Sequence, residues 1–302
     1  RLKPQTKIMA MVKATSYGSG SFEVANILQF HHVDYLAVAY SNEGVDLRKT
    51  GITLPIMVMN PEVMNFEMMM KYRLEPEIYN FRQLNQLSEV LKKHVGEPFK
   101  IHLKLDTGMH RLGFEEREIN ELVVRLNNNK HLHIQSIFSH LAGSDEAEHD
   151  GFTKLQVDRF KKMSDDIMKN FNYPIMRHIL NSSGILRFSE AQFEMVRLGI
   201  GMYGFAATPN EQNHLEQAAT LKTTISQIKN VASNETIGYS RKGKLKRDTI
   251  IATVAIGYAD GLNRRLGNGV GSMLVQGKKC PIVGSVCMDM TMIDVSHIDD
   301  IA

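Results

Sequence analysis

Along the first two thirds of the chain, short apolar runs are followed by Gly-punctuated connections and then by apolar residues at helical spacing. The runs are Ile8–Val12, Tyr35–Ala39, Pro55–Asn60, Glu77–Tyr79, Ile101–Asp106, Ile134–Ser139, Met176–Leu180 and Glu194–Gly199. Each has the length and boundaries of a buried strand. Between them lie amphipathic helices such as Phe22–Phe30 and Phe81–His94, where Phe81, Leu84, Leu87 and Leu91 recur on one face. Eight strands alternating with helices predict a TIM-like (β/α)8 barrel. A doubly wound sheet fits less well, because no strand leads into a G-x-G-x-x-G turn.

The helical pattern stops after Thr208–His214. The runs Leu221–Lys229, Thr249–Ile256, Ser272–Gln276 and Pro281–Val286 are short, β-branched and separated by Gly, Asn and Lys. They predict a small, mostly-β domain. The expected division is residues 1–212 for the barrel and 213–302 for the β-domain. Because the sequence opens on Arg1 without a methionine and stops shortly after an apparent strand, the reading is an excerpt of a longer polypeptide with an incomplete β-domain.

Composition adds mainly exclusions. With 302 residues, 43% of them apolar and 23% charged, the chain is an ordinary globular protein with room for a large core. A net charge of +3 gives no footing for nucleic acid or an anionic membrane surface. No apolar run approaches 18 residues. Two cysteines, Cys280 and Cys287, lie in a stretch that looks like strand and form neither a disulfide framework nor a CxxC metal pair, so a reducing cytoplasm is the default. The methionines of Met57–Met70 read as fillers of irregular core space.

In a barrel the chemistry gathers where strands end. The first strand ends in Lys13, and Tyr17 follows inside a turn rich in glycine, in the stretch KIMAMVKATSYGSG. A lysine walled by apolar neighbours should titrate lower, as a Schiff-base amine requires, although a solvated strand-end lysine and a loop aromatic explain the pattern equally well. After the fifth strand, Gly108 and Gly113 bracket Arg111, whose planar fork suits a carboxylate or a phenolic oxygen; an internal salt bridge to Asp106 is the plainer alternative. Asn181, Ser182 and Ser183 before Gly184 offer either a phosphate cup or helix capping. Arg197 ends the eighth strand, beside glycines at 199 and 201 that leave the backbone open to an anion. Tyr239 and Tyr258, each beside glycine in the β-domain, have no chemistry that spacing alone assigns.

Taken together, the segments VKATSYGSG, LKLDTGMHRLGF, FSHLAGSDE, HILNSSG, VRLGIGMYG, TIGYS, TVAIGYADGLNRRL and VGSVCMDMTMIDV resemble the alanine racemases in the family's order over nearly the whole chain. These are enzymes that use pyridoxal 5'-phosphate (PLP), built as an α/β barrel with a C-terminal β-domain. The resemblance implies interconversion of L- and D-alanine, supplying D-alanine for peptidoglycan in the cytoplasm. It implies that Lys13 carries PLP and that Tyr17, Ser182, Gly199 and Ile200 hold its phosphate, with Asn181 alongside. Arg197 matches the arginine that faces the pyridine nitrogen, and His140 the histidine that links it to the catalytic tyrosine, Tyr239. Arg111 looks like the arginine that contacts the substrate carboxylate and the cofactor's phenolic oxygen. Lys104 matches a lysine carbamylated in some relatives, and Met288 with Tyr258 lines the substrate entrance. No metal is implied.

Racemisation then needs one base on each side of the α-carbon, Lys13 for the D-enantiomer and Tyr239 for the L-enantiomer. A phenol of pKa about 10 needs cationic neighbours, Arg197 and His140, to hold its phenolate. In the family the tyrosine and the Met288 segment reach the partner subunit's barrel, which implies a head-to-tail homodimer with shared sites. The family's first motif usually has Asp-Ala before the tyrosine and Gly-His-Gly after it, where this chain has Thr15-Ser16 and Gly18-Ser19-Gly20. In some bacteria such a racemase is fused to a ligase of cell-wall precursor synthesis, an arrangement that the ends of this chain also suit. A broad-specificity amino-acid racemase would share every chemical residue and differ in pocket volume.

Overall fold

A computed structural model describes residues 2–93 and 96–301. The chain divides into two units, the first running to Ala219 and the second starting at Thr220.

The first unit contains one eight-stranded parallel sheet in the order β7-β6-β5-β4-β3-β2-β1-β8. Its strands are β1 (Lys7–Met11), β2 (Tyr35–Val38), β3 (Ile56–Val58), β4 (Leu74–Ile78), β5 (Phe99–Lys104), β6 (Leu132–Phe138), β7 (Met176–His178) and β8 (Met195–Leu198). β8 returns to pair with β1, and Arg197 N–H donates to Leu180 C=O at 3.0 Å, so the sheet is a nearly closed barrel. All eight expected strands are present, displaced by a few residues at their ends. The helix expected over Phe81–His94 spans Phe81–Leu91, and His94 lies outside the described residues.

Successive strand residues face opposite ways, and here both faces are dry. Ala10, Val12, Leu36, Val38, Ile56 and Val58 join Leu84, Leu87, Leu122 and Phe160 of the helices in one continuous core. Met9, Met11, Tyr35, Ala37, Met57, Phe138 and Met195 form a second, smaller cluster from the alternate positions, which face the barrel interior. The same inward parity on β4 to β8 carries Glu75, Glu77, His102, Lys104, Ser136, His178 and Arg197, all buried. One side of the barrel interior is therefore apolar and rich in methionine, while the other is filled with polar and charged groups.

The second unit holds β9 (Ile225–Val231), β10 (Thr236–Ile237), β11 (Gly243–Lys244), β12 (Thr249–Val254), β13 (Ser272–Val275), β14 (Lys278–Pro281) and β15 (Thr291–Asp294). β12 is central, antiparallel to both β9 and β15. The expected strand Pro281–Val286 is displaced. The pairing falls on Lys278–Pro281, because Gln276 and Gly277, both with positive φ, make a tight hairpin turn that sets its register. Ile282 is buried from a single antiparallel bridge to Ile293 and Val286 from irregular backbone, and Cys287 is likewise outside any strand. Both cysteines are free thiols. Among the described residues no helix is long and apolar enough to cross a membrane.

Candidate active site

β1 delivers Lys13, half-buried, into an unusual turn. Ala14, Thr15, Ser16 and Tyr17 all have φ between 51° and 56°, four consecutive left-handed residues of which none is glycine. Such a backbone costs roughly 1–2 kcal/mol per residue. It persists because it is pinned. Glu43 Oε1 accepts from Ala14 N at 2.7 Å, while Oε2 of the same carboxylate accepts from Ala39 N at 2.7 Å and Tyr40 N at 3.0 Å. Gly18, at φ 86°, closes the turn with its N–H on Ala14 and Thr15 carbonyls.

The turn throws Tyr17 against Tyr203, ring centroids 4.9 Å apart, and toward the end of β8. A Cβ on Gly199 would stand 3.0 Å from Tyr17 Oη and 3.8 Å from Ser182 Oγ. Ser182 Oγ accepts from Gly199 N at 3.0 Å and from Gly201 N at 3.1 Å. Two hydroxyls thus flank a stretch of backbone left bare by glycine, with exposed Ile200 between the two glycines. Helix capping falls to Asn181, whose Oδ1 accepts from Gly184 N at 2.9 Å and from Ser144 Oγ at 2.9 Å. Ser182 is therefore not a cap.

Next to this cup, Arg197 is buried and held from several sides. NH1 donates to His178 Nδ1 at 2.6 Å and His178 C=O at 3.2 Å; NH2 donates to Ser139 C=O at 2.6 Å, Ile179 C=O at 3.1 Å and His140 Nδ1 at 3.1 Å. Burial pushes Arg197 down to about 10, which leaves it a cation at neutral pH. Burial, followed by the charges of Arg197, Arg111, Lys104 and Lys13, drives His140 well below its usual range. His140 is thus a neutral imidazole, not the second cation expected beside the tyrosine.

Arg111 is exposed on its loop. Asp106 does not pair with it. Its Oδ1 accepts from Gly108 N at 2.9 Å and His110 N at 3.1 Å, and its Oδ2 lies 3.5 Å from His110 Nδ1, so the carboxylate shapes the loop and leaves the guanidinium to other partners. A Cβ on Gly113 would lie 2.5 Å from Asp106 N, and only glycine closes this loop. Lys104 points inward, 3.1 Å from Glu77 Oε1 and 5.4 Å from the centroid of the Phe138 ring.

In the second unit Tyr239 is 70% exposed and lines a cavity of about 590 Å³ with Met288 and Thr253. Tyr258 and Met288 belong to two loops joined by Tyr258 N to Cys287 C=O at 2.9 Å and Ala259 N to Met288 C=O at 3.0 Å. A Cβ on Gly257 would stand 2.2 Å from Met288 C=O, so the close approach requires glycine. Arg264 lies over the Tyr258 ring at 5.3 Å.

Four groups escaped the sequence reading: Glu43, Glu77, His178 and Ser139. The signal for Glu77 was the alternation E-x-E in LEPEI, polar residues two apart inside a strand that a barrel buries on both faces.

This fold and site define a class: a barrel enzyme with a lysine, a locked arginine and a stretch of glycine backbone flanked by two hydroxyls gathered at the carboxyl rim, followed by a β-unit presenting tyrosines. Family models for the alanine racemase N-terminal domain and C-terminal domain match residues 1–207 and 218–302. An alanine racemase of Clostridium tetani is 39% identical over 98% of this chain and 77% of its own length. The solved alanine racemase of Clostridium difficile 630 superposes with a TM-score of 0.90 at 33% identity, covering all of this chain and 79% of that one. That of Bartonella henselae, solved with covalently bound pyridoxal phosphate, gives 0.85 at 26% identity over 98% and 81%. The chain belongs to the alanine racemase family and is an enzyme, an amino-acid isomerase.

Proposed function

We propose that this chain interconverts L- and D-alanine with PLP held covalently on Lys13, using Lys13 and the Tyr239 of a second copy as bases on opposite faces of the substrate. The observation that carries the reading is the bare Gly199 backbone between the Tyr17 and Ser182 hydroxyls, with the locked Arg197 cation beside it on β8. A Cβ at residue 199 would fill the cradle, and the Tyr17 and Ser182 hydroxyls beside it suit a phosphate. These residues fit PLP, with Tyr17, Ser182, Gly199 and Ile200 holding the phosphate, Asn181 and His140 alongside, and Arg197 facing the ring nitrogen.

PLP, when bound, supplies an electron-withdrawing ring that acidifies the α-proton of an attached amino acid. Arg197 would leave the ring nitrogen of bound PLP unprotonated, since a guanidinium gives up its proton reluctantly, and would so restrain side chemistry. Arg111 grips the substrate carboxylate through its fork. Lys13 Nζ removes or returns the α-proton on one face and Tyr239 Oη does so on the other. The high exposure of Tyr239 on its own unit supports its use by a neighbouring copy, as do the exposed Met288 and Tyr258 for the substrate entrance. The resulting homodimer would carry two composite sites, and its product would serve peptidoglycan synthesis in the cytoplasm.

Borohydride reduction followed by peptide mapping tests the assignment. The expected label is on Lys13, and Lys13→Ala should lose the absorbance of the bound cofactor. Tyr239→Phe should keep that absorbance and lose most turnover from L-alanine; a label elsewhere, or undiminished turnover, overturns the scheme.

A further inference from the structure

The inward-facing polar residues form a continuous line across the barrel interior. From Arg197 NH1 it runs to His178 Nδ1 at 2.6 Å, from His178 Nε2 to Ser136 Oγ at 2.9 Å, from Ser136 Oγ to His102 Nδ1 at 2.6 Å, and from His102 Nε2 to Glu75 Oε2 at 2.9 Å. His178, Ser136 and His102 have no solvent exposure, and Glu75, near the start of β4, has little. Tyr35 Oη donates to the same Glu75 oxygen at 3.3 Å, and Lys100 stands 3.9 Å from the other.

The direction of every hydrogen bond on this line is fixed by its two ends. A guanidinium nitrogen can only donate, so His178 Nδ1 is bare and its proton is on Nε2. Ser136 Oγ accepts that proton's bond, and its own hydroxyl proton finds an acceptor only if His102 Nδ1 is bare as well. His102 therefore carries its proton on Nε2 and donates to a carboxylate, which can only accept. Any other arrangement leaves a buried hydroxyl proton unpaired or points two hydrogens at each other. Burial and the Arg197 charge keep His178 neutral. The His102 bond, Lys100 and Tyr35 outweigh the effect of burial and keep Glu75 ionised.

We propose that Glu75 is a positioning residue for the reaction: through His102 and Ser136 it holds His178 in the Nε2–H tautomer and thereby keeps a bare nitrogen facing Arg197, which seats the guanidinium. Its functional half rests on the reading of Arg197 given above, whereas its structural half does not.

The test is nitrogen NMR of the full chain labelled with ¹⁵N-histidine, with assignment by single His→Gln variants. His102 and His178 should both be neutral and protonated on Nε2. Glu75→Leu removes the terminal acceptor, and His102 should move to the Nδ1–H tautomer, with His178 losing its single state. Glu75→Gln presents a carbonyl oxygen to the same donor and should restore both tautomers. With alanine as substrate, Glu75→Leu should lower kcat about tenfold with KM changed less than about twofold, and Glu75→Gln should stay within about twofold of the parent. An imidazolium at His102, or a proton on His178 Nδ1, in the unmodified protein overturns the proposal whether or not the leucine variant folds. Shifted tautomers with unchanged kcat overturn the positioning role. Failure of Lys13 to carry a cofactor would sink the proposed function while leaving the tautomers as expected.

Discussion

Lys104 Nζ lies 3.1 Å from Glu77 Oε1 inside the barrel, and neither side chain has more than a trace of solvent contact. The angles of the contact fall short of a hydrogen bond, since both Glu77 oxygens lack a well-aligned donor. Burial pushes the Glu77 carboxyl up from an ordinary 4.5 to about 7, with Lys104, Arg197 and Arg111 pulling it partly back. The linkage has a definite sign. Below the unfolded value both states hold the proton, and Glu77 imposes no penalty on folding. Between 4.5 and about 7 the unfolded chain ionises while the folded chain resists, so stability falls as pH rises through that window. Glu77→Gln removes the titration. Chemical unfolding of both proteins at about pH 5 and about pH 8 should show the parent losing stability relative to the variant at the higher pH; a constant difference would mean that Glu77 titrates normally.

The same pair bears on modification of Lys104. Carbamylation joins carbon dioxide to the neutral amine with loss of a proton, and converts a cation into an anion. Here that anion would stand beside Glu77, and once its carboxyl ionises above about 7 like charges in a dry site disfavour each other. Lys104 should therefore remain an unmodified amine paired with Glu77. Carbon-13 NMR in labelled bicarbonate should show no carbamate signal from the parent at this position, and a signal in Glu77→Gln, where the competing charge is gone.

How much of this was legible beforehand follows from what each pattern encodes. Eight strands could be read because β-branched and apolar runs end at Gly, Pro or polar residues, and family motifs marked Lys13, Arg197 and Ser182 by position. The pair just described could not, since Glu77 inside LEPEI looks like the solvent face of an alternating strand, and only closure of the barrel turns that face inward. Pro281–Val286 misled for a related reason. Ile282 and Val286 are core residues, but the hairpin turn at Gln276 and Gly277 puts the ladder on the more polar residues before them. β10 and β11, two residues each, carry too short a pattern to read.

Ser182 offers a test of the anion cup that does not depend on catalysis. Its Oγ accepts from both Gly199 N and Gly201 N, so Ser182→Ala strips an acceptor from two backbone donors and a hydroxyl from the cup. Each lost partner is worth about 1–3 kcal/mol. Bound PLP should leave the variant about 10- to 100-fold faster on dialysis, followed by its absorbance. Release at the parent's rate would place the phosphate elsewhere.

The left-handed turn after Lys13 makes the opposite kind of prediction, a gain. Thr15 is exposed and β-branched, with φ 54° and ψ 43°. A branched side chain at such angles crowds its own backbone, at a cost of roughly 1–2 kcal/mol that glycine avoids. Glycine gives back about 0.5–1 kcal/mol through the freedom of the unfolded chain. Thr15→Gly should therefore raise stability by about 0.5–1 kcal/mol, seen as a higher unfolding midpoint. Ser16→Gly at the next position relieves the same strain but empties a fully buried site, and should gain less or lose. Since the turn also aims Tyr17 at Gly199, Thr15→Gly should not slow PLP release. A fall in the Thr15→Gly midpoint would show that the side chain, and not the Glu43 bond to Ala14 N, holds the turn in its left-handed form.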